Sequence, residues 1–353
     1  MLSFEQRKVA FVDLGQYIED LVNQHSLKSS KKDSKFEDLL NLAKAENQWF
    51  TTENMIFALQ QWSQSLQKDS LEQWLNNYDF PPVQNPKKVG IIMAGNIPLV
   101  GFHDFLSTLI SGQHAVIKLS SNDKQLLPYL ADELINIQPE FKSLITFEDN
   151  TLKDFDAVIA TGSNNTARYF EYYFRNKPHI IRKNRNGVAI LTGDESLKDI
   201  EKLGEDIFRF FGLGCRNVSK LFIPQNFDFD FFFEGISNFK SYLYHNKYAN
   251  NYDYNKAVYL MSDISFLDND FLLVKADQQI ASPIGVLNYE IYHDDNYLNK
   301  YLKSNQDHIQ CIIGQHPLCE FDFGQAQHPN LADYADGIDT LNFLQNINIK
   351  IAL

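Results

Sequence analysis

The sequence predicts an α/β protein with a doubly wound parallel sheet and a second α/β domain. The chain has 353 residues, and single hydrophobic cores stop growing near roughly 250 to 300 residues, so two domains are expected. Between residues 86 and 192, short apolar runs alternate with helical patterns, which is typical of parallel strands joined by helical crossovers. A second series of apolar runs occupies residues 193–325.

Residues 1–85 are predicted to form helices that pack on the first sheet. Apolar residues spaced three and four apart, such as Leu14, Ile18 and Leu21, indicate amphipathic helices. The polar residues 29–33 are expected to form a loop between two of these helices. At Pro81 the helical pattern ends and the α/β pattern follows.

The region 86–192 alternates predicted strands with predicted helices. The strands are expected at residues 89–93, 115–119, 144–147, 157–160 and 188–191. The helices are expected at residues 99–110, 123–137 and 165–174. Because ligands of doubly wound sheets lie outside the carboxyl ends of the strands, the loops that follow these strands form the candidate ligand site.

The second domain, residues 193–325, begins with a helix whose apolar residues share one face. This helix is expected over residues 197–211 and leads straight into the segment 212–216 (GLGCR). Strands are predicted at residues 221–223, 271–274, 285–292 and 308–314. In the tail, residues 326–353, polar and apolar residues alternate over 346–351, so 341–353 are predicted to form a strand that could pair with a second copy in a homodimer.

Composition excludes several classes of protein. Acidic residues outnumber basic ones by 45 to 32, and no long basic stripe is present, so a nucleic-acid partner is not expected. The sequence has neither a secretory leader pattern nor a window of about 18 apolar residues, so we expect a cytoplasmic protein without a membrane span. Its 3 cysteines are too few and too clustered for a disulfide framework, which agrees with a reducing compartment.

Cys215 is the first candidate for chemistry. A nucleophilic thiol needs a lowered pKa and an open approach, and here Arg216 and the flanking glycines could supply these two conditions. The alternative is a small buried hydrophobic residue. A glycine-flanked cysteine does not by itself decide between the two.

Two loops at the predicted ligand end add candidates. Asn96 follows the first strand and could donate its amide to a developing oxyanion, or it could simply be a turn residue. Gly162 and Ser163 follow another strand and open a helix, where free amides attract phosphate. A plain helix cap by Ser163 or Asn164 is the alternative.

Four segments, taken in order, resemble the successive motifs of the aldehyde dehydrogenase superfamily. They are residues 95–98 (GNIP), 111–118 (SGQHAVIK), 161–163 (TGS) and 214–215 (GC). Nearly the whole chain, including residues 325–339 (QAQHPNLADYADGID), is similar to the acyl-CoA reductases of the bacterial bioluminescence fatty acid reductase type. The resemblance implies an aldehyde dehydrogenase-like fold.

The resemblance also implies roles for individual residues. Cys215 corresponds to the nucleophile that carries an acyl group as a thioester, and Asn96 to the side chain that shares the oxyanion hole with a backbone amide. A nicotinamide cofactor would be bound by residues 86–192, and residues 193–325 would be the catalytic domain. The implied cofactor contacts are Lys118 at the adenosine ribose, Gly162 and Ser163 in the cofactor-facing turn, and Gln279 near the nicotinamide ribose.

The sequence departs from typical members at two places. Residues 181–187 (IRKNRNG) contain no carboxylate where aldehyde-oxidising members carry a glutamate that activates water. Hydrolysis of the thioester should then be slow, which suits reduction of an activated acyl donor. Ser121, three residues after Lys118, stands where NAD-preferring relatives commonly carry an acid that would repel a ribose 2′-phosphate, so NADPH is expected.

The expected reaction is therefore NADPH-dependent reduction of an acyl-CoA, with fatty acyl-CoA as the expected donor, to an aldehyde. An acyl-phosphate reductase would share the nucleophile and the missing base. A non-reducing subunit could instead hold an acyl group for a partner synthetase or acyltransferase. An aldehyde-oxidising enzyme whose base comes from another segment is a further alternative.

Basic residues near the missing glutamate are secondary candidates. Arg182, Lys183 and Arg185 could supply positive charge for anionic phosphates, or they could form a solvated basic run. His179 could donate a proton to the reaction centre. A histidine at a strand edge or in a loop is the alternative.

No metal site is expected. Cys311, His316 and Cys319 lack a fourth ligand at the spacing of a zinc site. The acidic residues 333–340 lack the terminal glutamate of a calcium loop and are expected to form a solvated loop packed near the site.

Overall fold

The computed structural model describes residues 2–26, 34–149 and 151–347. The chain divides into two compact units, Met1–Lys183 with Asn330–Leu353, and Asn184–Pro329. We call them the first unit and the second unit. Each unit contains its own sheet, so the two α/β domains predicted from the sequence are present.

Helices open the first unit: α1 (Phe4–Ser26), α2 (Ser34–Glu46), α3 (Thr52–Ser65) and α4 (Lys68–Leu75). The buried residues of α1 are spaced three and four apart, as the sequence pattern predicts. One of them, Phe11, meets the rings of Phe105 and Phe141 edge to face, so the N-terminal helices pack on the helical layer of the first sheet. The predicted loop at residues 29–33 lies outside the described residues.

The first sheet consists of β1 (Lys88–Ile92), β2 (His114–Lys118), β3 (Ile145–Phe147), β4 (Ala157–Thr161) and β5 (His179–Arg182). Its connecting helices are α5 (Phe102–Ile110), α6 (Leu126–Ile137) and α7 (Asn164–Phe174). The strands are parallel and lie in the order β3-β2-β1-β4-β5. The chain moves outward from β1 to β3 and then returns to β4. The topological switch therefore lies between β1 and β4, where such sheets bind their ligands.

Two details of the first unit differ from the sequence prediction. Strand β5 was not predicted, because its four residues include two polar ones and show no clear alternation. Helix α5 begins at Phe102 instead of residue 99, because Leu99 has a φ of 57° and cannot belong to a right-handed helix. The backbone N–H of Leu99 instead donates to the Asp123 carboxylate at 3.1 Å.

The strands of the second unit are β6 (Asn186–Ile190), β7 (Val218–Ile223), β8 (Leu267–Asp268), β9 (Leu273–Ala276), β10 (Val286–Ile291) and β11 (Ile309–Ile313). Its α-helices are α8 (Leu197–Phe208), α9 (Phe229–Gly235), α10 (Asn246–Met261) and α11 (Asp295–Ser304). The strand order is β11-β6-β7-β10-β9-β8, and only the short edge strand β8 runs antiparallel among the described pairings. Every residue of β7 is buried, so this strand forms the centre of the core.

Two predictions about the entry into the second unit are wrong. The strand expected at residues 188–191 was assigned to the first sheet, but β6 pairs with β7 and β11. An apolar run that is buried on both faces fits either sheet, so the sequence pattern does not select its partner. The helix expected over residues 197–211 ends at Phe208, because Phe210 and Phe211 both adopt positive φ angles.

The tail also differs from its prediction. Instead of a strand beginning at residue 341, the chain forms helix α12 (Thr340–Gln345). Asp339 caps this helix by accepting the Asn342 N–H at 2.8 Å, and Leu341 and Leu344 are buried at helical spacing. The strand prediction is wrong for these residues, and residues 348–353 lie outside the described part of the chain. The homodimer that rested on this strand stays untested.

Candidate active site

In the first unit, the predicted ligand residues lie on one edge of the sheet. Residues 92 of β1, 118 of β2 and 160 of β4 lie level across the sheet. Asn96 follows β1, Lys118 ends β2, and Gly162 and Ser163 follow β4. Because these strands are parallel neighbours, the side chains belong to the same carboxyl edge, at the topological switch.

The loops that carry Asn96 and Ser121 are packed against each other. A Cβ atom on Gly95 would lie only 2.5 Å from the Ser120 hydroxyl, so the two loops can approach this closely only with glycine at that position. The Asn47 amide bridges them by donating to the carbonyl oxygens of Gly95 and Asn122, each at 3.3 Å. Asn96 and Ser121 are both exposed on this fixed framework.

The turn after β4 forms a helix cap. The Ser163 hydroxyl accepts the Thr166 N–H at 3.3 Å and lies 2.9 Å from the Thr166 hydroxyl. The capping alternative for Ser163 is therefore present in the structure. Both Ser163 and Asn164 remain exposed, so the cap does not remove the start of α7 from the ligand edge.

The basic run at the end of β5 is occupied by protein contacts. Arg182 is buried, pairs with the Asp104 carboxylate at 2.5 Å and donates to the Thr340 hydroxyl at 3.0 Å. Lys183 pairs with Glu171 at 2.8 Å, and Arg185 donates to the carbonyl oxygen of Gln306. The suggestion that this run serves as a phosphate-binding cluster is wrong for Arg182, whose charge is already compensated in a buried pair.

His179 lies at the opposite edge of the first sheet from Asn96, Lys118 and Gly162. It is the first residue of β5 and therefore lies at the amino-terminal edge of the first sheet. Its Nδ1 atom is 2.9 Å from the Lys177 carbonyl oxygen. The strand-edge interpretation of this histidine is correct.

In the second unit, a compact turn presents Cys215 just before β7. The Gly214 N–H donates to the Asn217 side-chain oxygen at 2.8 Å, and the Asn217 N–H returns a bond to the Gly214 carbonyl at 3.1 Å. The Asn217 amide also donates to the carbonyl oxygens of Asp206 at 3.0 Å and Arg209 at 2.8 Å, at the end of α8. Asn217, which the sequence reading missed, thus fixes the turn that carries the cysteine.

The three cysteines lie in different environments. Cys215 is partly exposed, so the structure disagrees with its alternative interpretation as a buried hydrophobic residue. Cys311 is fully buried, and burial raises the pKa of its thiol to about 12. Burial raises the pKa of the Cys319 thiol to about 11. Cys311 and Cys319 are therefore neutral thiols at physiological pH, which disfavours them as nucleophiles.

The backbone before Cys215 is strained. Phe210 and Phe211 have φ angles of 55° and 59°, and both are buried aromatic residues. Each such residue costs roughly 1–2 kcal/mol in this left-handed region. The Phe211 ring packs against the tilted ring of His245, with 4.3 Å between the ring centroids, and this contact helps to hold the unfavourable conformation. Backbone strain of this kind is often found at functional sites, and here it turns the chain from α8 into the Cys215 turn.

Asp206 is the buried carboxylate of the Cys215 region. It accepts the backbone N–H groups of Gly324 at 2.6 Å and Ala326 at 2.9 Å, one on each oxygen. Arg216 contacts the same segment, donating to the Ala326 carbonyl at 2.5 Å. Because Asp206 is fully buried and both oxygens accept hydrogen bonds, it is poorly placed to activate water at Cys215.

Asp206 should make the stability of the second unit depend on pH. Burial raises the pKa of its carboxyl from 3.8 to about 7, against the opposing effect of the two amide hydrogen bonds. The folded state therefore binds this proton more tightly than the unfolded state, so stability falls as pH rises from about 4 through 7. The full change from this group is about 4 kcal/mol.

Asp206→Asn is expected to remove the pH dependence that Asp206 gives to the stability of the second unit. The free energy of unfolding can be followed by hydrogen exchange of β7 amides, corrected for the intrinsic rate at each pH. The free energy of unfolding of the native protein, minus that of the variant, should fall as the pH rises from 4 to 8. The reason is that Asp206 loses its proton over this range and the asparagine of the variant has none to lose. A difference that stays constant over this range would contradict the prediction.

The loop that contains Gln279 follows β9, and side chains of β7 and β10 hold it by hydrogen bonds to its carbonyl oxygens. Asn288 donates to the Gln279 carbonyl at 3.0 Å, and Ser219 donates to the Ile280 carbonyl at 2.7 Å. Lys220 donates to the carbonyl oxygens of Asp277 at 3.0 Å and Gln278 at 2.9 Å. The Gln279 side chain itself is exposed, so it is available to a ligand.

Lys220 is a buried cation that the sequence reading missed. Its ammonium group pairs with the Glu290 carboxylate and lies 3.1 Å from the Tyr301 hydroxyl. Burial lowers the pKa of Lys220, and the Glu290 carboxylate acts in the opposite direction. The sequence does contain a signal for this buried cation, because Lys220 lies inside the otherwise largely apolar strand Val218–Ile223.

Neither of the remaining candidate segments forms a metal centre in the described part of the chain, where no group of three or more His, Cys, Asp or Glu side chains could hold an ion. The acidic segment 333–340 is tied to the N-terminal helices. Tyr78 donates to the Asp339 carboxylate at 2.8 Å, and the Tyr334 hydroxyl accepts from the Trp74 indole at 2.8 Å.

No helix among the described residues is long and apolar enough to cross a membrane.

Solved structures that are similar to this chain include aldehyde dehydrogenases. One is aldehyde dehydrogenase 21 from Physcomitrella patens, with a TM-score of 0.65 and 13% identity over 98% of this chain and 84% of that chain. Another is indole-3-acetaldehyde dehydrogenase bound to NAD+, with a TM-score of 0.63 and 13% identity over 85% of this chain and 70% of that one. The chain therefore has the aldehyde dehydrogenase fold, as the sequence resemblance implied.

The family follows from the sequence itself. Residues 15–231 match the acyl-CoA reductase (LuxC) family, and the chain belongs to this family. A long-chain acyl-protein thioester reductase from Aliivibrio fischeri is 27% identical over 145 residues. That match covers 37% of this chain and 30% of the relative, so it spans about a third of each protein.

Proposed function

We propose that the protein reduces an acyl thioester, with fatty acyl-CoA as donor, to an aldehyde with NADPH. The observation that carries the proposal is the family match over residues 15–231, which includes Asn96, Lys118 and Cys215. The missing carboxylate in residues 181–187 supports reduction over hydrolysis, since no group there can activate water. The blocked oxygens of Asp206 support the same conclusion.

The carboxyl edge of the first sheet fits a dinucleotide. Lys118, Gly162 and Ser163 lie along this edge, and the first turn of α7 presents backbone amides suited to phosphate. Ser121 and its neighbour Asn122 are neutral and exposed, so they would not repel a 2′-phosphate. When bound, NADPH supplies the hydride that brings the acyl carbon to the aldehyde level.

The remaining chemistry falls to the side chains of the protein. The Cys215 thiolate forms a bond to the acyl carbon while the donor thiol leaves. The family resemblance assigns stabilisation of the oxyanion to hydrogen bonds from Asn96 and from the backbone amide at Cys215. Release of the aldehyde breaks the carbon–sulfur bond and returns the thiolate. Overall, an acyl-CoA, NADPH and a proton become an aldehyde, CoA and NADP+.

The direct test is the loss of NADPH absorbance with a series of acyl-CoA chain lengths, together with detection of the aldehyde. Oxidation of NADPH that accompanies aldehyde formation is the expected result. Turnover with acyl phosphate but not with acyl-CoA would point to the acyl-phosphate alternative. Acid produced from aldehyde and NADP+ in steady turnover would contradict the proposal.

An acyl group on a partner protein is a second candidate donor. The Aliivibrio fischeri relative is named long-chain acyl-protein thioester reductase. A partner synthetase or transferase would then deliver the acyl group directly to Cys215. Labelled acyl transfer from an acylated partner, compared with free acyl-CoA at equal concentration, separates the two donors.

Ser121→Asp should weaken the preference for NADPH. A carboxylate beside the 2′-phosphate would repel it, and a repulsion of about 1.4 kcal/mol corresponds to roughly a tenfold higher KM for NADPH. The KM for NADH, which lacks this phosphate, should change much less. Thr151→Asp, an exposed substitution in the same unit, is the charge-matched control. An unchanged ratio of the two KM values would remove Ser121 from the cofactor site.

A further inference from the structure

An open cavity of about 370 Å³ lies in the first unit. Its lining includes Pro86, Gly112 and Leu144, which lie one or two residues before the starts of β1, β2 and β3. The cavity is therefore at the amino-terminal edge of the sheet, opposite the carboxyl edge proposed for the cofactor. The proposed reaction assigns no role to it.

Arg7 contributes a buried cation to this cavity. Only 3% of the residue is exposed. Its Nε atom donates to the Ile110 carbonyl at 3.0 Å, and one terminal nitrogen donates to the Leu2 carbonyl at 2.6 Å. A guanidinium has five N–H donors. These two bonds leave three donors without an acceptor among the described residues.

No carboxylate of the described residues pairs with Arg7. The Ile110 carbonyl belongs to the last turn of α5, and a helix end offers only about half an elementary negative charge. A buried cation without full compensation is unfavourable, so an external anion would stabilise this site.

Gly112 keeps the approach to Arg7 open. It has a φ of 79°, and a Cβ atom there would lie 3.2 Å from the guanidinium carbon and 3.3 Å from a terminal nitrogen. Any side chain at this position would cover the cation. Glycine leaves one face of the guanidinium available to the cavity.

The rest of the lining indicates the kind of anion. Lys142 adds a second cation at the rim and is exposed without an ion pair among the described residues. Glu140 also lines the cavity, but one of its carboxylate oxygens accepts a hydrogen bond from Gln138 at 2.7 Å. Leu2 and Val83 supply apolar wall. A carboxylate matches the planar donor geometry of a guanidinium, and the apolar walls suit a short hydrocarbon tail.

We propose that this cavity is a binding site for a small monocarboxylate with a short apolar tail, held by Arg7 and Lys142. The site lies at the opposite edge of the first sheet from Lys118 and Gly162, and the proposal does not depend on the proposed function. The competing explanation is that Arg7 only caps the end of α5.

Isothermal titration calorimetry of the full-length protein with hexanoate tests the proposal, at constant ionic strength with chloride as the reference anion. Saturable binding at one site is expected. Arg7→Met should weaken it at least roughly thirtyfold, because a buried hydrogen-bonded charge is lost. Lys142→Met should weaken binding severalfold, and Lys153→Met, which removes an exposed cation outside the cavity, should leave it unchanged.

A second variant covers the case in which Arg7→Met unfolds the first unit. Val83→Phe fills the cavity and keeps both cations, so it should also abolish hexanoate binding. Absence of saturable binding in the native protein, or equal binding in all of these variants, would overturn the site. Inorganic phosphate that binds more tightly than hexanoate would overturn the assignment to a carboxylate with an apolar tail.

Discussion

Cys215→Ser is expected to reduce NADPH-dependent reduction of acyl-CoA by at least roughly a thousandfold, because the hydroxyl is a far weaker nucleophile than a thiolate. The structure supports this choice of residue over the other cysteines. Cys215 is partly exposed on a turn fixed by Asn217, whereas burial keeps Cys311 and Cys319 protonated. The initial rate of NADPH absorbance loss at saturating acyl-CoA provides the measurement.

Cys319→Ser is the matched control, since it makes the same chemical change at a thiol whose pKa is raised to about 11. It should retain most of the activity. Incubation of the native protein with acyl-CoA alone should add one acyl group to the peptide that contains Cys215. If this peptide becomes acylated but NADPH is never oxidised, the protein is the non-reducing carrier instead. Undiminished turnover in Cys215→Ser would remove the nucleophile assignment.

Lys220→Met should lower the free energy of unfolding of the second unit by roughly 3 to 5 kcal/mol, since it leaves a buried carboxylate without its cation. Lys220 is completely buried, and Glu290 is only 14% exposed at its side chain. The variant also removes the donor from the Asp277 and Gln278 carbonyl oxygens. If Gln279 contacts the cofactor, the KM for NADPH should rise in the same variant.

Hydrogen exchange of β7 and β10 amides is the suitable measurement of this effect. Tryptophan fluorescence would report the other unit, because Trp49, Trp62 and Trp74 all belong to the first unit. Lys275→Met is the control: this lysine lies on β9 and pairs at 2.6 Å with Asp277, two residues later, with 15% and 24% of the two side chains exposed. That pair is more exposed than the pair of Lys220 with Glu290, so Lys275→Met should lower the free energy of unfolding by less than Lys220→Met. Equal losses in the two variants would contradict the special role of Lys220.

Much of the first sheet was predictable because its signals are local. Runs such as residues 89–93 and 115–119 are apolar, short and bounded by polar residues, and the structure places β1 and β2 within one residue of them. The position of Asn96 and Lys118 at the carboxyl edge follows directly from that alternation. Strand β5 was missed because it is held by its pairing with β4 and by the buried pair of Arg182 with Asp104.

The supporting residues of the candidate site were not predictable from local pattern. Asp206, Asn217 and Lys220 look like ordinary polar residues in the sequence, and their roles depend on partners 8 to 120 positions away. For the strained phenylalanines before Cys215, the sequence pattern predicts the last turn of a helix. Their apolar character fits a helix, but their burial against residues such as His245 selects the left-handed conformation.

The sequence by itself determined the α/β class and most strands of the first sheet, and it supplied the candidate residues for chemistry, because each of these depends on residue type and spacing. The tertiary structure alone decided which sheet receives β6, where α8 ends, and which charges are buried. Those outcomes depend on the free energy of bringing distant segments into contact, and a local pattern of polar and apolar residues does not contain that energy.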